Sequence, residues 1–429
     1  MQGRVSAVVL LVAGLSATPI DPQDLPQGIM AVARALRHNR DLLKNVSDYT
    51  CLETISRERK APKQRNSLTL DVVQADVAVG EGTEIYSWPG EASFSSDNLE
   101  GLVGQGFVAT GFFDAFAGNI FVQNGAAVKF AGKQDFQGRP ALRFTYVLSA
   151  RAKWKVNWLG AHGNVGSAGE FWIDPKTFRL LRLDVHATQI PATLPLNAIQ
   201  VAIDYKPLSI GNRDALIPSG AQILAVETTG TGYRDMIGYS QCHAFAAEAT
   251  LSASPVNLKS AVQTYEAHRL HLPAGLKLRM ALETRIQMNT AKIGDLVRAR
   301  LEKAVKLSPE LTIPRGSVIE GRVRELKTLG DPPNTRELGI AFDEIDWPGY
   351  AGIFFGKPIQ IEQIPGLSMS LSKTTRQNRT TMIGALMNTT TEQVWPAEIP
   401  GVATFFLTGS RVVPKHFRMT WRTEETQHR

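Results

Sequence analysis

Apolar and polar positions alternate along most of this chain, and the places where the alternation changes period mark its elements. Ile29, Val32, Leu36 and Leu43 recur at helical spacing, with Arg34, Arg37, Arg40 and Asp41 on the other face. That pattern predicts an amphipathic helix over residues 26 to 46. The period then drops to two. Residues 49 to 59, 70 to 79 and 84 to 88 read as strands, and the Gly- and Phe-rich stretch 102 to 121 as a loop with short helical turns. In 141 to 148, Leu142, Phe144, Tyr146 and Leu148 face one way and Arg143 and Thr145 the other. Residues 169 to 173 run into Asp174-Pro175-Lys176-Thr177, a turn with Asp first and Pro second, and the chain returns through 180 to 187. This predicts a β-hairpin. Strands at 199 to 205, 221 to 229 and 233 to 251 continue an antiparallel run.

The pattern breaks at residues 252 to 272, read as a linker between a first module over 26–251 and a second over 273–429. Leu276, Leu278, Met280 and Leu282 then alternate strictly with Lys277, Arg279, Ala281 and Glu283. Further short strands follow at 297 to 301, 317 to 326, 338 to 347, 352 to 361, 402 to 407 and 417 to 422. Strands at this spacing, joined by turns, predict a small β-barrel or sandwich. Residues 366 to 397, rich in Ser, Thr, Asn and Gln, read as a mobile loop or insertion. The expected class is mainly β with an N-terminal helix.

The first residues change the picture. Arg4 precedes an apolar run from Val5 to Leu15, followed by Ser16-Ala17-Thr18 and Pro19. This reads as a signal peptide over residues 1–19, the alternative being a buried N-terminal strand or helix. The run is far shorter than the roughly 20 residues a bilayer requires, and no later segment reaches spanning length without charge. A periplasmic or secreted location is therefore expected. The 43% hydrophobic and 20% charged composition is that of a globular chain rather than a disordered one. With 47 basic against 40 acidic residues, the net charge of +7 is mild, and no Lys/Arg run concentrates it. That argues against nucleic acid as a partner.

Two cysteines remain, Cys51 and Cys242, each in a strand-like run. In an oxidising compartment an even pair is expected to form one disulfide, tying the first strand of a module to its last. The alternative is two separate buried thiols.

Candidate chemistry is sparse. No nucleophile elbow, phosphate loop or dinucleotide fingerprint is present. His268 and His271, with Glu266 nearby, supply too few ligands for zinc. Ser167 lacks the Gly-x-Ser-x-Gly frame. Asp343, Glu344 and Asp346 cluster on one strand and read as a solvated face, since glycosidase carboxylates oppose one another across a cleft. Cys242 and His243 are successive strand residues on opposite faces, which does not make a nucleophile–base pair. No catalytic residue, metal or cofactor is expected. Among the aromatics, Trp154, Trp158, Trp172 and Tyr205 are expected to pack the sheet. Trp154, Val156 and Trp158 share one face at period two and could line an apolar cavity or partner surface.

The opening helix, the strand Tyr49-Thr50-Cys51-Leu52-Glu53-Thr54-Ile55-Ser56-Arg57 and the hairpin Glu170-Phe171-Trp172-Ile173-Asp174-Pro175-Lys176-Thr177 leading to Leu180-Leu181-Arg182-Leu183 resemble the outer-membrane lipoprotein-carrier (LolA-like) superfamily over about residues 26 to 250. The resemblance implies a curved antiparallel half-barrel around helices, with an apolar concavity that holds acyl chains. In the second module, Leu272-Pro273-Ala274-Gly275-Leu276-Lys277-Leu278, Ile293-Gly294-Asp295, Leu311-Thr312-Ile313-Pro314-Arg315-Gly316-Ser317 and Glu320-Gly321-Arg322-Val323 resemble the C-terminal β-barrel of TrbI-like conjugation-channel proteins. That family's membrane-spanning segment and proline-rich stalk have no counterpart in the sequence. Together these readings imply a non-catalytic exported envelope protein that binds a lipid, another apolar ligand or a lipidated protein through its first module. The alternative is a structural component of an envelope assembly, with envelope proteins as partners and no small-molecule ligand.

Overall fold

The helical period at the start of the chain becomes α1 (Gln27–Lys44), whose buried line is Ala35, Asn39 and Leu43, four residues apart. Lys44 in its last turn complements the helix dipole. The computed structural model describes residues 27–44, 49–80, 83–91, 93–94, 99, 102, 111–113, 115–123, 125–149, 154–158, 161–210, 213–244, 268–329, 335–369 and 401–425. The signal segment expected at 1–19, most of the linker and most of the polar stretch 366 to 397 lie outside the described residues.

After α1 come β1 (Tyr49–Lys60), β2 (Leu68–Gly80), β3 (Thr83–Ser87), α2 (Ala115–Phe121), β4 (Ala127–Phe136), β5 (Arg139–Leu148) and β6 (Trp154–Trp158). The series continues with β7 (Ala161–Ile173), β8 (Leu180–Thr188), β9 (Leu196–Ile210), β10 (Arg213–Glu227) and β11 (Gly232–Ala244). They form one sheet in the order β3-β2-β1-β11-β10-β9-β8-β7-β5-β4, with β6 folded onto β7. Its first and last long strands are neighbours, Tyr49 pairing with Ala244 and Lys60 with Gly232. The sheet is a curved antiparallel half-barrel. Bulges in β1, β4 and β10 assist the bend. α1 touches both β4 and β10, strands well separated in the sheet order, so the helix crosses the concave face.

The inner face follows the alternation. Phe144 and Tyr146 of β5, Phe171 of β7, Leu183 and Val185 of β8 and Val201 and Ile203 of β9 are all buried. Phe112, Phe113 and Phe121 fill the space between this face and the helices. Each fully buried side chain of this size contributes roughly 1.5–3 kcal/mol from removal of apolar surface from water.

The second part of the chain begins with β12 (His268–His271), β13 (Lys277–Leu282), β14 (Ile286–Gln287), β15 (Leu296–Leu301), β16 (Val305–Lys306), β17 (Thr312–Ile313) and β18 (Val318–Leu329). It is completed by β19 (Thr335–Trp347), β20 (Tyr350–Ile353), β21 (Phe355–Ile361), β22 (Leu367–Met369), β23 (Ala403–Thr408), β24 (Val412–Val413) and β25 (Arg418–Glu424). Its ten-stranded sheet has the main order β12-β20-β19-β18-β15-β13-β25-β21, while β14 with β24 and β16 with β17 form two separate two-stranded sheets. Only Phe354 separates β20 from β21, so one bent run of chain pairs with β19 in its first half and with β25 in its second. That link ties β21, one end of the order, to β20, next to the other end, and curls the sheet into a barrel-like form. Leu278, Met280 and Leu282 are buried inside it, as their alternation predicts.

The two sheets meet at a strand edge. β3 covers only the Asp76–Gly80 end of β2, leaving the other half of that edge open. The segment between β14 and β15 engages it at Val72–Gln74. Ile293 forms a parallel bridge with Val73; its N–H donates to the Val72 carbonyl at 2.8 Å, and its carbonyl accepts from Gln74 at 2.8 Å. Gly294 follows with φ +102°, and a Cβ there would lie 2.5 Å from the Gln74 carbonyl oxygen. From β18, Arg322 pairs with Glu91 at 3.2 Å, and Arg324 lies 4.9 Å from the Trp88 ring centre while donating to the Leu102 carbonyl.

Candidate functional site

Asn39 locks α1 to the β7–β8 hairpin. Its side-chain amide donates to the Phe178 carbonyl at 2.9 Å and to the Ala35 carbonyl at 2.9 Å, and its oxygen accepts from the Leu180 N–H at 2.8 Å. The hairpin turn is held by Asp174, whose carboxylate accepts the N–H groups of Lys176 and Thr177, each at 2.8 Å. Those bonds hold its carboxyl below the usual range. Phe178 then takes φ +59°, a left-handed conformation that a bulky side chain rarely adopts. Its ring turns to the helix and lies 4.0 Å below the Arg34 guanidinium carbon.

This docking leaves a crevice of about 320 Å³ between the start of α1 and the sheet rim. Gln27 and Ala31 line it from α1, Phe130 and Lys133 from β4, Leu142 from β5, and Pro175 and Phe178 from the hairpin. In the same stretch of α1, Ile29 and Met30 remain 52% and 47% exposed. The volume lies at the lower end of the range for small-molecule sites. It matches roughly ten methylenes if each takes about the ~30 Å³ of a liquid water. The concavity itself is occupied by α2 and the rings before it, so the apolar opening lies at its rim.

Deeper in the half-barrel, the β1, β2 and β11 side of the concave face is polar. Arg57 forms a bidentate pair with Asp71, and Asp235 stands opposite Arg57 on β11. Burial raises the Asp235 carboxyl to about 7 against the pull of Arg57. Glu53 is 1% exposed and meets the Tyr239 hydroxyl at 3.4 Å. Burial, reinforced by Glu84, raises its carboxyl well above the ordinary range. Glu84 accepts from the Tyr86 hydroxyl at 2.7 Å and from the N–H groups of Gly111 and Phe113 at 2.6 and 3.0 Å. These carboxylates fix the chain entering α2 and direct Phe113 between Tyr49 and Tyr239, at 5.5 and 4.6 Å. Their positions were not evident in the sequence, although Glu53 and Arg57 fall in phase with inward-facing Tyr49, Cys51 and Ile55.

Cys51 and Cys242 form a disulfide across β1 and β11. The register shifts between Thr50 and Leu52, and Gln241 has φ +52°. That irregularity brings the Cys242 sulfur to its partner. His243 turns away, its ring meeting the Thr50 hydroxyl at 3.0 Å. Trp154, Val156 and Trp158 lie on β6, where Val156 and Trp158 are buried. Trp154 packs on Phe116 at 5.3 Å, and Trp158 packs on Tyr233 at 5.4 Å while donating to Glu227 at 3.3 Å.

His268 and His271 form the ends of β12 rather than part of a helix, so their side chains leave opposite faces. Among the described residues no three metal-ligating side chains gather. Ser167 is buried in β7. Asp343 sits at the register shift of β19, while Glu344 and Glu320 are directly paired. Burial, with Glu344 and Glu320 nearby, raises Asp346 to about 6. Arg298 pairs with Glu320 at 2.6 Å on this solvent-facing group.

No family model and no curated protein matches the chain. Among solved structures, it is similar to a DUF1329 family protein from Desulfovibrio piger: 12% identity, covering 52% of this chain and 95% of the other, TM-score 0.29. It is also similar to a putative outer membrane lipoprotein-sorting protein domain from Vibrio parahaemolyticus: 9% identity, 50% and 91% coverage, TM-score 0.28. A LolA superfamily protein from Nitrosomonas europaea gives 7% identity, 51% and 94% coverage and TM-score 0.25. Each of these matches covers about half of this chain. The scores are too low to transfer a ligand or a residue's role. Among the described residues, no helix is long and apolar enough to cross a membrane.

Proposed function

We propose that this is a non-catalytic, exported envelope protein that binds an apolar chain through its first module, residues 26–251. The observation that carries the reading is the crevice under α1, lined by Ala31, Phe130, Leu142, Pro175 and Phe178 with Ile29 and Met30 exposed on the same stretch of helix. A groove of this kind offers an acyl chain contact on several sides while its polar end stays in water. Removing each methylene from water is worth about 0.8 kcal/mol, so a ten-carbon segment gains enough to offset the cost of ordering it. The Cys51–Cys242 bridge suits an oxidising compartment, in line with the leader read at residues 1–19. The barrel-like second module serves as an interaction module in this proposal, fixed to the first through Ile293 and Gly294.

Native mass spectrometry of the mature chain, purified from a periplasm, tests the reading. Bound mass that extracts as lipid, and that is reduced in an Ala31→Trp variant filling the crevice, is the expected result. A bare mass that stays bare after incubation with decanoate and decan-1-ol would overturn it.

A further inference from the structure

The crevice is apolar in its walls but one-sided in its charge. Among the described residues, Lys133 on β4 is the sole ionisable residue lining it, and Arg34 lies over the ring of Phe178, itself part of the lining. Arg179 follows Phe178 directly, and Lys176 stands exposed at the hairpin tip. Two carboxylates on these elements are directed to backbone N–H groups of their own turns, contacts that orient a carboxylate without neutralising it. Asp174 accepts two N–H groups of its own turn, and Asp135 accepts the Gly138 N–H at 2.9 Å. Among the described residues, no acidic side chain lines the crevice.

We propose that the ligand is an anionic single-chain amphiphile. Its hydrocarbon lies along Ala31, Phe130 and Leu142, and its carboxylate or phosphate head meets Lys133 and Arg34 at the rim. This rests on the binding reading above and adds the chemical class of the head. Both cations have apolar neighbours in the lining: Lys133 has Phe130 on its own strand, and Arg34 has Phe178. A long basic side chain can cover such surface with its stem while its charge stays in water, where a head would meet it. Contacts of this exposed kind are modest. Two of them amount to roughly three- to tenfold in affinity at low salt, declining as ionic strength shortens the screening length.

Titration of the full mature chain with decanoate, decyl phosphate and decan-1-ol, at low and high salt, separates the possibilities. The expected result is that an anionic ligand binds roughly three- to tenfold tighter than the alcohol at low salt. Lys133→Glu should remove that advantage at low salt, and an anion preference that survives the change overturns the head contact at Lys133. The tighter of the two anions identifies the head as carboxylate or phosphate. Equal binding of all three ligands overturns the anionic head and leaves the apolar-chain reading standing. No binding by any of the three overturns both.

Discussion

Asn39 allows a sharp test of how the crevice is built. In Asn39→Leu the side chain keeps its bulk but loses its carboxamide, so the Leu180 N–H loses an acceptor at 2.8 Å and the Phe178 carbonyl a donor at 2.9 Å. A buried polar group left without a partner costs about 1–3 kcal/mol. The Leu180 group is enclosed and should lie high in that range. The Phe178 carbonyl, at a half-buried turn, can recruit water and should lie low. The sum is about 2–4 kcal/mol, against which the added apolar bulk of leucine recovers little. Urea unfolding followed by far-UV circular dichroism gives the stability change, and decan-1-ol titration shows whether Phe178 still shapes the crevice. An Asn39→Leu loss below about 1 kcal/mol would refute the assignment of Asn39 as the clamp between helix and hairpin.

Two further predictions concern the interior. Cys51→Ser removes a bridge spanning 191 residues, and the expected loss is about 2–5 kcal/mol in non-reducing buffer; unchanged melting there would rule out the bridge. Burial raises Asp235 from 3.8 to about 7, so the folded chain keeps a proton that the unfolded chain releases. Its contribution to stability is therefore fully present below an unfolded pKa of about 3.9 and is lost as pH rises to about 7, a span of ~4 kcal/mol. Asp235→Asn should flatten that part of the stability curve, and parallel pH profiles for the two proteins would contradict the reasoning.

How much was legible depended on whether a strand has one buried face. β5 and β13 show clean alternation in sequence because each has a single inner face, and both appear where the pattern places them. β4 and the first half of β7 were not read as strands. β4 is an edge strand with Lys129, Lys133 and a glycine at the bulge, so almost nothing along it is buried. The first half of β7 carries Gly163 and Gly166, which pass close to Leu194 and Thr188 where a larger side chain would collide. Glycine in such a strand reads as loop unless the neighbouring chain is known. The crevice was illegible for a related reason. Its walls come from four separate elements, and its most distinctive residue, Phe178, occupies a left-handed position that sequence convention assigns to glycine. The disulfide required only parity and compartment, whereas the polar seam of Glu53, Arg57 and Asp235 required knowing that β1 and β11 are neighbours.

The treatment of strand edges bears on the choice between a ligand-binding protein and a component built into an assembly. An assembly made by strand addition requires an open, flat edge. The β4 edge carries two lysines and a bulge, features that discourage pairing. β3 is five residues long and β12 four. The open half of β2 is engaged at Val72–Gln74 by Ile293, and the bend at Phe354 ties β21, at one end of the second sheet, to β20, next to the other end. Assembly through side-chain faces would instead require clustered apolar residues. Among the described residues the exposed large apolar side chains are Ile29, Met30, Leu68, Val147 and Met236. Leu68, Val147 and Met236 lie on three different strands, and Val147 and Met236 are separated across the first sheet. Ile29 and Met30 are adjacent, on the stretch of α1 that lines the crevice. Among the described residues, Ile29 and Met30 are thus the only adjacent pair of exposed large apolar side chains, a patch suited to a single chain entering from solvent rather than to a broad protein interface.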